Sequence, residues 1–194
     1  MKKIIGSLTA ILILTSTVLI SCEDSKAKMA NQTISNDSLI KRGEYLVTIS
    51  GCDDCHTPKK MGAMGHEPDR SIRLSGYRMN TPLPRVDTNV IKSGWALANG
   101  ELTGWAGPWG ASFAANLTSD ETGIGNWTLS QFKKALREGK WKGMDGNRPL
   151  MPPMPWQNYS HFTDEDVASI FAFLKSTKPV KNVEPNIVAF SDLK

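Results

Sequence analysis

Cys52-Asp53-Asp54-Cys55-His56 is the stretch on which the reading of this chain turns. Cys-x-x-Cys-His is the spacing of covalent haem attachment. The two thiols add across the vinyl groups of the porphyrin as thioethers, and the adjacent imidazole is thereby set under the iron as an axial ligand. Two other chemistries use similar residues. A thioredoxin-like redox pair would need a strand before the motif and a longer helix after it, and the flanks here lack that pattern. A zinc site would need two more ligands, and after these cysteines only His66 and His161 are at hand. The histidine directly after the second cysteine is best explained by haem.

Cysteine usage agrees with this assignment. The chain has three cysteines, and the third, Cys22, closes an N-terminal stretch with its own logic. Lys2 and Lys3 precede an almost unbroken apolar run from Ile4 to Ile20, the layout of a secretory signal peptide. Its end, Leu19-Ile20-Ser21-Cys22, resembles the lipobox of bacterial lipoproteins. That resemblance implies cleavage before Cys22, lipidation of its thiol, and stable anchoring by several acyl chains on the outer side of a bacterial membrane. The alternatives are an uncleaved anchor helix of about 17 apolar residues, near the lower limit for a span, or a soluble periplasmic product. With Cys22 lipidated and Cys52 and Cys55 on haem, no structural disulfide is expected.

Net charge is +4, but Lys2 and Lys3 lie in the signal stretch, leaving 21 basic against 19 acidic side chains. A nearly neutral chain without a basic cluster is no nucleic-acid binder. The expected organisation is a signal peptide over residues 1–21, a lipidated cysteine and polar tether over 22–37, and one domain over 38–194. The tether could reach a few tens of ångströms, at about 3.3–3.6 Å per extended residue.

Helical periodicity places a first helix from about Ser38 to Ser50, with Leu39, Gly43, Leu46 and Val47 on one side. Thr128-Leu129-Ser130-Gln131 has capping-box spacing and opens a second helix bearing Phe132, Ala135 and Leu136, with Gly139 as its stop. A last helix starts after Thr163 with Asp164, Glu165 and Asp166, acidic groups suited to the positive end of the helix dipole. Val167, Ile170, Phe171 and Leu174 form its expected stripe, ahead of Pro179. Between His56 and Trp127, loops and turns are expected, with one short helix around Ser93 to Asn99. Lys181 onward reads as an extended tail strapped by Ile187, Val188 and Phe190.

The second axial ligand is a methionine, one of the two other histidines, or an open position. Met151-Pro152-Pro153-Met154-Pro155-Trp156 is the strongest candidate, because flanking prolines stiffen a non-helical loop that can hold a thioether over an iron. His161, seven residues after Met154, reads as a loop or haem-edge residue, and His66 as a surface residue.

Arg42-Gly43-Glu44-Tyr45-Leu46-Val47 followed by Gly51-Cys52 resembles the first helix of class I cytochromes c, and Thr163 to Leu174 resembles their last. Asn116-Leu117-Thr118, Thr122-Gly123-Ile124-Gly125-Asn126-Trp127-Thr128 and Met154-Pro155-Trp156 are similar to the haem domains of cytochrome subunits that serve membrane dehydrogenases for alcohols and sugar acids. The resemblance implies a mainly α cytochrome c fold, three or more helices around one haem, with a long loop-rich insertion. It also implies Met154 rather than Met151 as the axial thioether, and Trp127 as a possible hydrogen-bond donor to a haem propionate. Those relatives often have Tyr where Trp156 stands, and many carry three haem domains where this chain has one motif. The function implied is one-electron transfer with a dehydrogenase, an oxidase or another cytochrome. A haem sensor or small-ligand binder with a labile sixth ligand is the alternative, and a haem peroxidase is disfavoured by the single motif.

Overall fold

The computed structural model describes residues 35–194. The signal stretch 1–21, Cys22 and nearly all of the tether lie outside the described residues.

Helix α1 (Asn36–Ile49) and the C-terminal helix α6 (Asp164–Ser176) form the most extensive helix–helix contact. Their crossing depends on Gly43. A Cβ there would lie 1.9 Å from the Ser169 carbonyl oxygen and 2.7 Å from Phe173 Cβ, so only glycine lets the backbones meet. Around that crossing Leu46, Val47, Val167, Ile170, Phe173 and Leu174 are buried, each aliphatic side chain contributing about 1.5–3 kcal/mol. Arg42 pairs with Asp166 at the edge of the crossing, its Nε donating to Oδ1 at 3.1 Å. Burial resists ionisation of Asp166, but hydrogen bonds from Thr163 and Arg42 prevail and hold its carboxyl below the ordinary range.

The attachment turn is itself a short helix, α2 (Cys52–His56), entered through Gly51 in a left-handed conformation. Helix α4 (Leu129–Glu138) begins with the expected capping box between Thr128 and Gln131 and ends at left-handed Gly139. It adds Phe132 and Leu136 to the core of α1 and α6. A second capping box, Thr163 with Asp166, starts α6. In α6 the buried aromatic is Phe173, which faces α1, whereas Phe171 is half-buried and tilts against Phe132 with ring centroids 5.4 Å apart.

The region between His56 and Trp127 corrects the expectation of loops and turns with a single short helix. It holds an antiparallel hairpin of β1 (Lys59–Gly62) and β2 (Gly65–Pro68), and a three-stranded antiparallel sheet of β3 (Leu97–Ala98), β4 (Gly104–Gly107) and β5 (Gly110–Phe113). The fold is therefore helical around its main core and mixed elsewhere. Strands of two to four residues, four of the five with glycine at an end, show no usable alternation, which is why periodicity misses them. The short helix also moves: α3 spans Thr88–Lys92, with Asp87 accepting from Asn89 N at 2.9 Å as its cap. Gly94, at φ 104°, breaks it before Leu97 enters the sheet.

Val86, Ile91, Ala106, Ala111 and Leu193 make a second, smaller core beneath this sheet, flanked by Val188 and Phe190. The tail is strapped as expected through Val188, which bridges to Ala111, while Ile187 remains exposed. The remaining α-helix, α5 (Trp156–Tyr159), lies between the Met-Pro-Pro-Met-Pro loop and α6.

Candidate haem site

His56 is half-buried, and its Nδ1 lies 2.8 Å from the Ala115 carbonyl oxygen. A carbonyl only accepts, so Nδ1 carries the proton and Nε2 keeps the lone pair that a metal needs. Burial lowers the pKa of this imidazole, which keeps it neutral. Its carbonyl in turn accepts from Gly76 N at 2.7 Å. Gly76, at φ 79°, could not be another residue: a Cβ would sit 2.4 Å from Ala114 O and 2.6 Å from Ala115 O. Segments 74–77 and 114–117 are tied to each other by Tyr77 N to Ala114 O at 2.9 Å and Leu117 N to Leu74 O at 2.9 Å. Together they form a backbone cradle for His56.

The turn is clamped a second time through its own variable positions. Asp53 is buried and accepts from Thr57 Oγ1 at 2.7 Å and from Arg73 Nη2 at 2.7 Å and Nε at 2.9 Å. Burial opposes the Asp53 charge, but the hydrogen bonds of Arg73 and Thr57 outweigh it, and the carboxyl is held below its usual range. Arg73 also reaches Glu44 on α1 at 2.7 Å and lies over the Phe173 ring of α6 at 5.2 Å. Thr57 Oγ1 accepts from Leu74 N at 3.0 Å. Asp54, by contrast, is exposed.

Cys52 and Cys55 are half-buried free thiols. Burial, reinforced by the Asp53 charge, pushes Cys52 up to about 12, and burial also raises Cys55, so both are uncharged at neutral pH. Cys52, Met154, Trp127, Leu117 and Tyr159 all border the main core. The loop of Met154 is held at three points. Pro152 O accepts from Ser112 Oγ of β5 at 2.5 Å, Met154 N donates to Met151 O at 3.2 Å, and Tyr159 donates its hydroxyl to Ser50 O at 2.7 Å. The last bond ties the methionine side to Ser50, two residues before Cys52. Burial pushes the Tyr159 phenol up to about 12, so it remains a donor.

Met151 is half-buried beside this loop, while His161 is exposed before α6 and His66 is exposed on β2. Trp127 packs by its ring against the core. Among the described residues no three of His, Cys, Asp and Glu converge on a point, so the zinc alternative finds no ligand set there. The donors present do fit a haem: two uncharged thiols one helical turn apart, a neutral imidazole oriented by its own hydrogen bond, and a thioether on the same apolar core. Arg73, Gly76, Ala115 and Tyr159 were not singled out from the sequence. Gly76 and Tyr159 had a signal in their residue type, but Arg73 and the Ala115 carbonyl had none, because the tertiary fold brings them to the motif.

The cytochrome c family model matches residues 40–178. The chain is 32% identical over 148 residues to the fructose dehydrogenase cytochrome subunit of Gluconobacter japonicus, covering 75% of this chain and 23% of that protein. It is 31% identical over 156 residues to the cytochrome c subunit of a quinone alcohol dehydrogenase of Gluconobacter oxydans (strain 621H), covering 78% and 25%. With the gluconate 2-dehydrogenase cytochrome c subunit of Pantoea cypripedii the identity is 31% over 147 residues, covering 75% and 25%. The chain thus spans about a quarter of the length of these relatives.

Proposed function

The chain belongs to the cytochrome c family, and from that premise we propose that it carries one covalently attached haem c and moves electrons singly, as a carrier rather than a catalyst. Bound at this site, haem c supplies one-electron iron chemistry. Cys52 and Cys55 would hold it by thioethers, and His56 through Nε2 and Met154 through its thioether would serve as the iron ligands. That ligand set would leave no position for a substrate, and the thioether would favour the reduced state relative to a second imidazole. Trp127 borders the same core and is a candidate to donate to a propionate.

The observation that carries this reading is the junction of the two sides. His56 is oriented by Ala115 O at 2.8 Å, and the segment after Met154 is bonded through Tyr159 to Ser50, two residues before Cys52. The testing experiment is absorbance spectroscopy of the oxidised protein. Met154→Ala is expected to abolish the weak red band of methionine-ligated ferric haem while leaving haem covalently bound, and Met151→Ala is expected to leave the band intact. Loss of the band in Met151→Ala would overturn the ligand assignment. Carbon monoxide binding to the reduced, folded wild-type protein would favour the sensor reading.

The partner we propose is a dehydrogenase, since the relatives named above are cytochrome subunits of such enzymes, with docking weak and transient as in other redox encounters. We also propose that Cys22 is lipidated and holds the domain at a bacterial membrane surface, on the strength of the Leu19 to Cys22 pattern. Among the described residues no helix is long and apolar enough to cross a membrane. Cys22→Ser is expected to release the protein from membrane fractions, and retention there would reject the anchor.

A further inference from the structure

The hairpin that follows His56 carries side chains that neither the core nor the haem site uses. In its register Met61 opposes His66 and Lys60 opposes Glu67. Directly opposed residues of an antiparallel pair share a face, with Cβ atoms about 4.5–5.5 Å apart, and the next pair takes the other face. The alternation holds here, since the Lys60 ammonium and the Glu67 carboxylate are 3.9 Å apart. Met61 and His66 therefore share the opposite face, and Met64 sits in the two-residue connection between the strands.

Methionine ordinarily fills gaps in a core. Met61 is 72% exposed and Met64 is fully exposed, so packing does not account for either. The His66 ring is backed by the chain: its Cε1 would lie 3.1 Å from a Cβ on Gly100. Carboxylates are turned elsewhere. Glu67 is on the Lys60 face, and Glu101 is engaged by Lys59 N at 3.1 Å and Arg78 Nε at 3.1 Å. What the hairpin offers is two thioether sulfurs and one imidazole. Hard cations need oxygen ligands, whereas thioethers select soft ions such as copper(I), a metal that imidazole also binds.

We propose that the β1–β2 hairpin is a binding site for a soft monovalent cation, copper(I), held by Met61, Met64 and His66. The site is separate from the haem ligands and does not depend on how the haem is ligated.

The test uses the full-length haem-loaded protein in two arms, reduced with ascorbate for copper(I), so that the haem cannot oxidise it, and ferric and free of ascorbate for silver(I), so that nothing reduces it. Methionine methyl groups are carbon-13 labelled for the silver(I) arm, which probes the same ligand chemistry. One equivalent is expected to move the Met61 and Met64 methyl signals together and leave the haem absorbance unchanged. In competition with a chromogenic copper(I) chelator, the Met61→Leu/Met64→Leu double variant is expected to lose more than about tenfold in affinity, the scale on which even outer-shell partners act. His66→Ala is expected to weaken binding in the same direction. Met144→Leu, at another exposed methionine, is expected to match wild type. Wild-type affinity in the double variant would overturn the proposal. So would silver(I) shifting other methyls while those of Met61 and Met64 stay in place, or failure of the wild-type protein to withdraw copper(I) from the chelator.

Discussion

The attachment turn and the methionine loop both border the main core, and they are built in opposite ways. Around Cys52–His56 the chain commits buried polar groups: Asp53 to Arg73 and Thr57, Thr57 to Leu74 N, and His56 to Ala115 and Gly76. Around Met154 three prolines stand exposed, and the loop is pinned through Ser112, Met151 and Tyr159. The first side has several partners for each group and is over-determined. The second has few, each replaceable at modest cost. The attachment turn is thus held rigidly and the methionine loop more lightly, so substitutions on the two sides should differ in kind.

The largest expected effect comes from Gly76→Ala. The added Cβ meets two carbonyl oxygens at 2.4–2.6 Å from a backbone already at positive φ, and strain plus overpacking should cost about 3–5 kcal/mol. Thermal unfolding and the yield of covalent haem should both fall. A Gly76→Ala protein with wild-type stability would remove the cradle from the account of His56.

Asp53→Asn comes next, at about 2 kcal/mol, since it leaves the half-buried Arg73 without its main carboxylate. The pH dependence follows from the lowered pKa of Asp53. Its stabilising contribution is fully present above the ordinary Asp value of 3.8 and is lost as pH falls through the lower folded value. Acid unfolding of wild type should therefore steepen below about pH 4, and Asn at this position should remove that component. Equal acid profiles in the two proteins would show that Asp53 contributes no pH-linked stability.

The smallest effect is expected from Tyr159→Phe. It removes one hydrogen bond between the methionine side and Ser50, worth about 1 kcal/mol, and leaves the attachment turn intact. Global stability should change little, while the fraction of ferric protein with the methionine band should fall on mild heating. If the band proved as heat-resistant as in wild type, the difference between the two sides would not reside in this bond.

Much of this molecule was legible because it is local. The two capping boxes, Thr128 with Gln131 and Thr163 with Asp166, need only residues three apart, and both are formed. The buried face of α1 at Gly43, Leu46 and Val47 follows from helical period alone. The insertion was not legible. Its strands are short, and their stability lies in pairing with distant segments, down to the bridge between Ala111 and Val188. Asn182 has the same character: it donates to Ser75 O at 2.5 Å and Tyr77 O at 2.8 Å and accepts from Met79 N at 2.7 Å. No periodicity marks a tail asparagine as a clasp for a loop a hundred residues earlier.

The sequence by itself determined the chemistry on offer: Cys52, Cys55 and His56 at a spacing that bonds a porphyrin, Met154 among prolines, and helices able to enclose them. Those features depend on neighbours a few residues apart, so reading along the chain finds them. Only the tertiary structure decided how the donors are aimed. The proton on His56 Nδ1 is assigned by a carbonyl 59 residues away, and the charge of Asp53 is sustained by an arginine 20 residues away. Such pairings are fixed by close backbone approaches at Gly43 and Gly76, where the shape of the whole core, rather than any local preference, sets which groups meet.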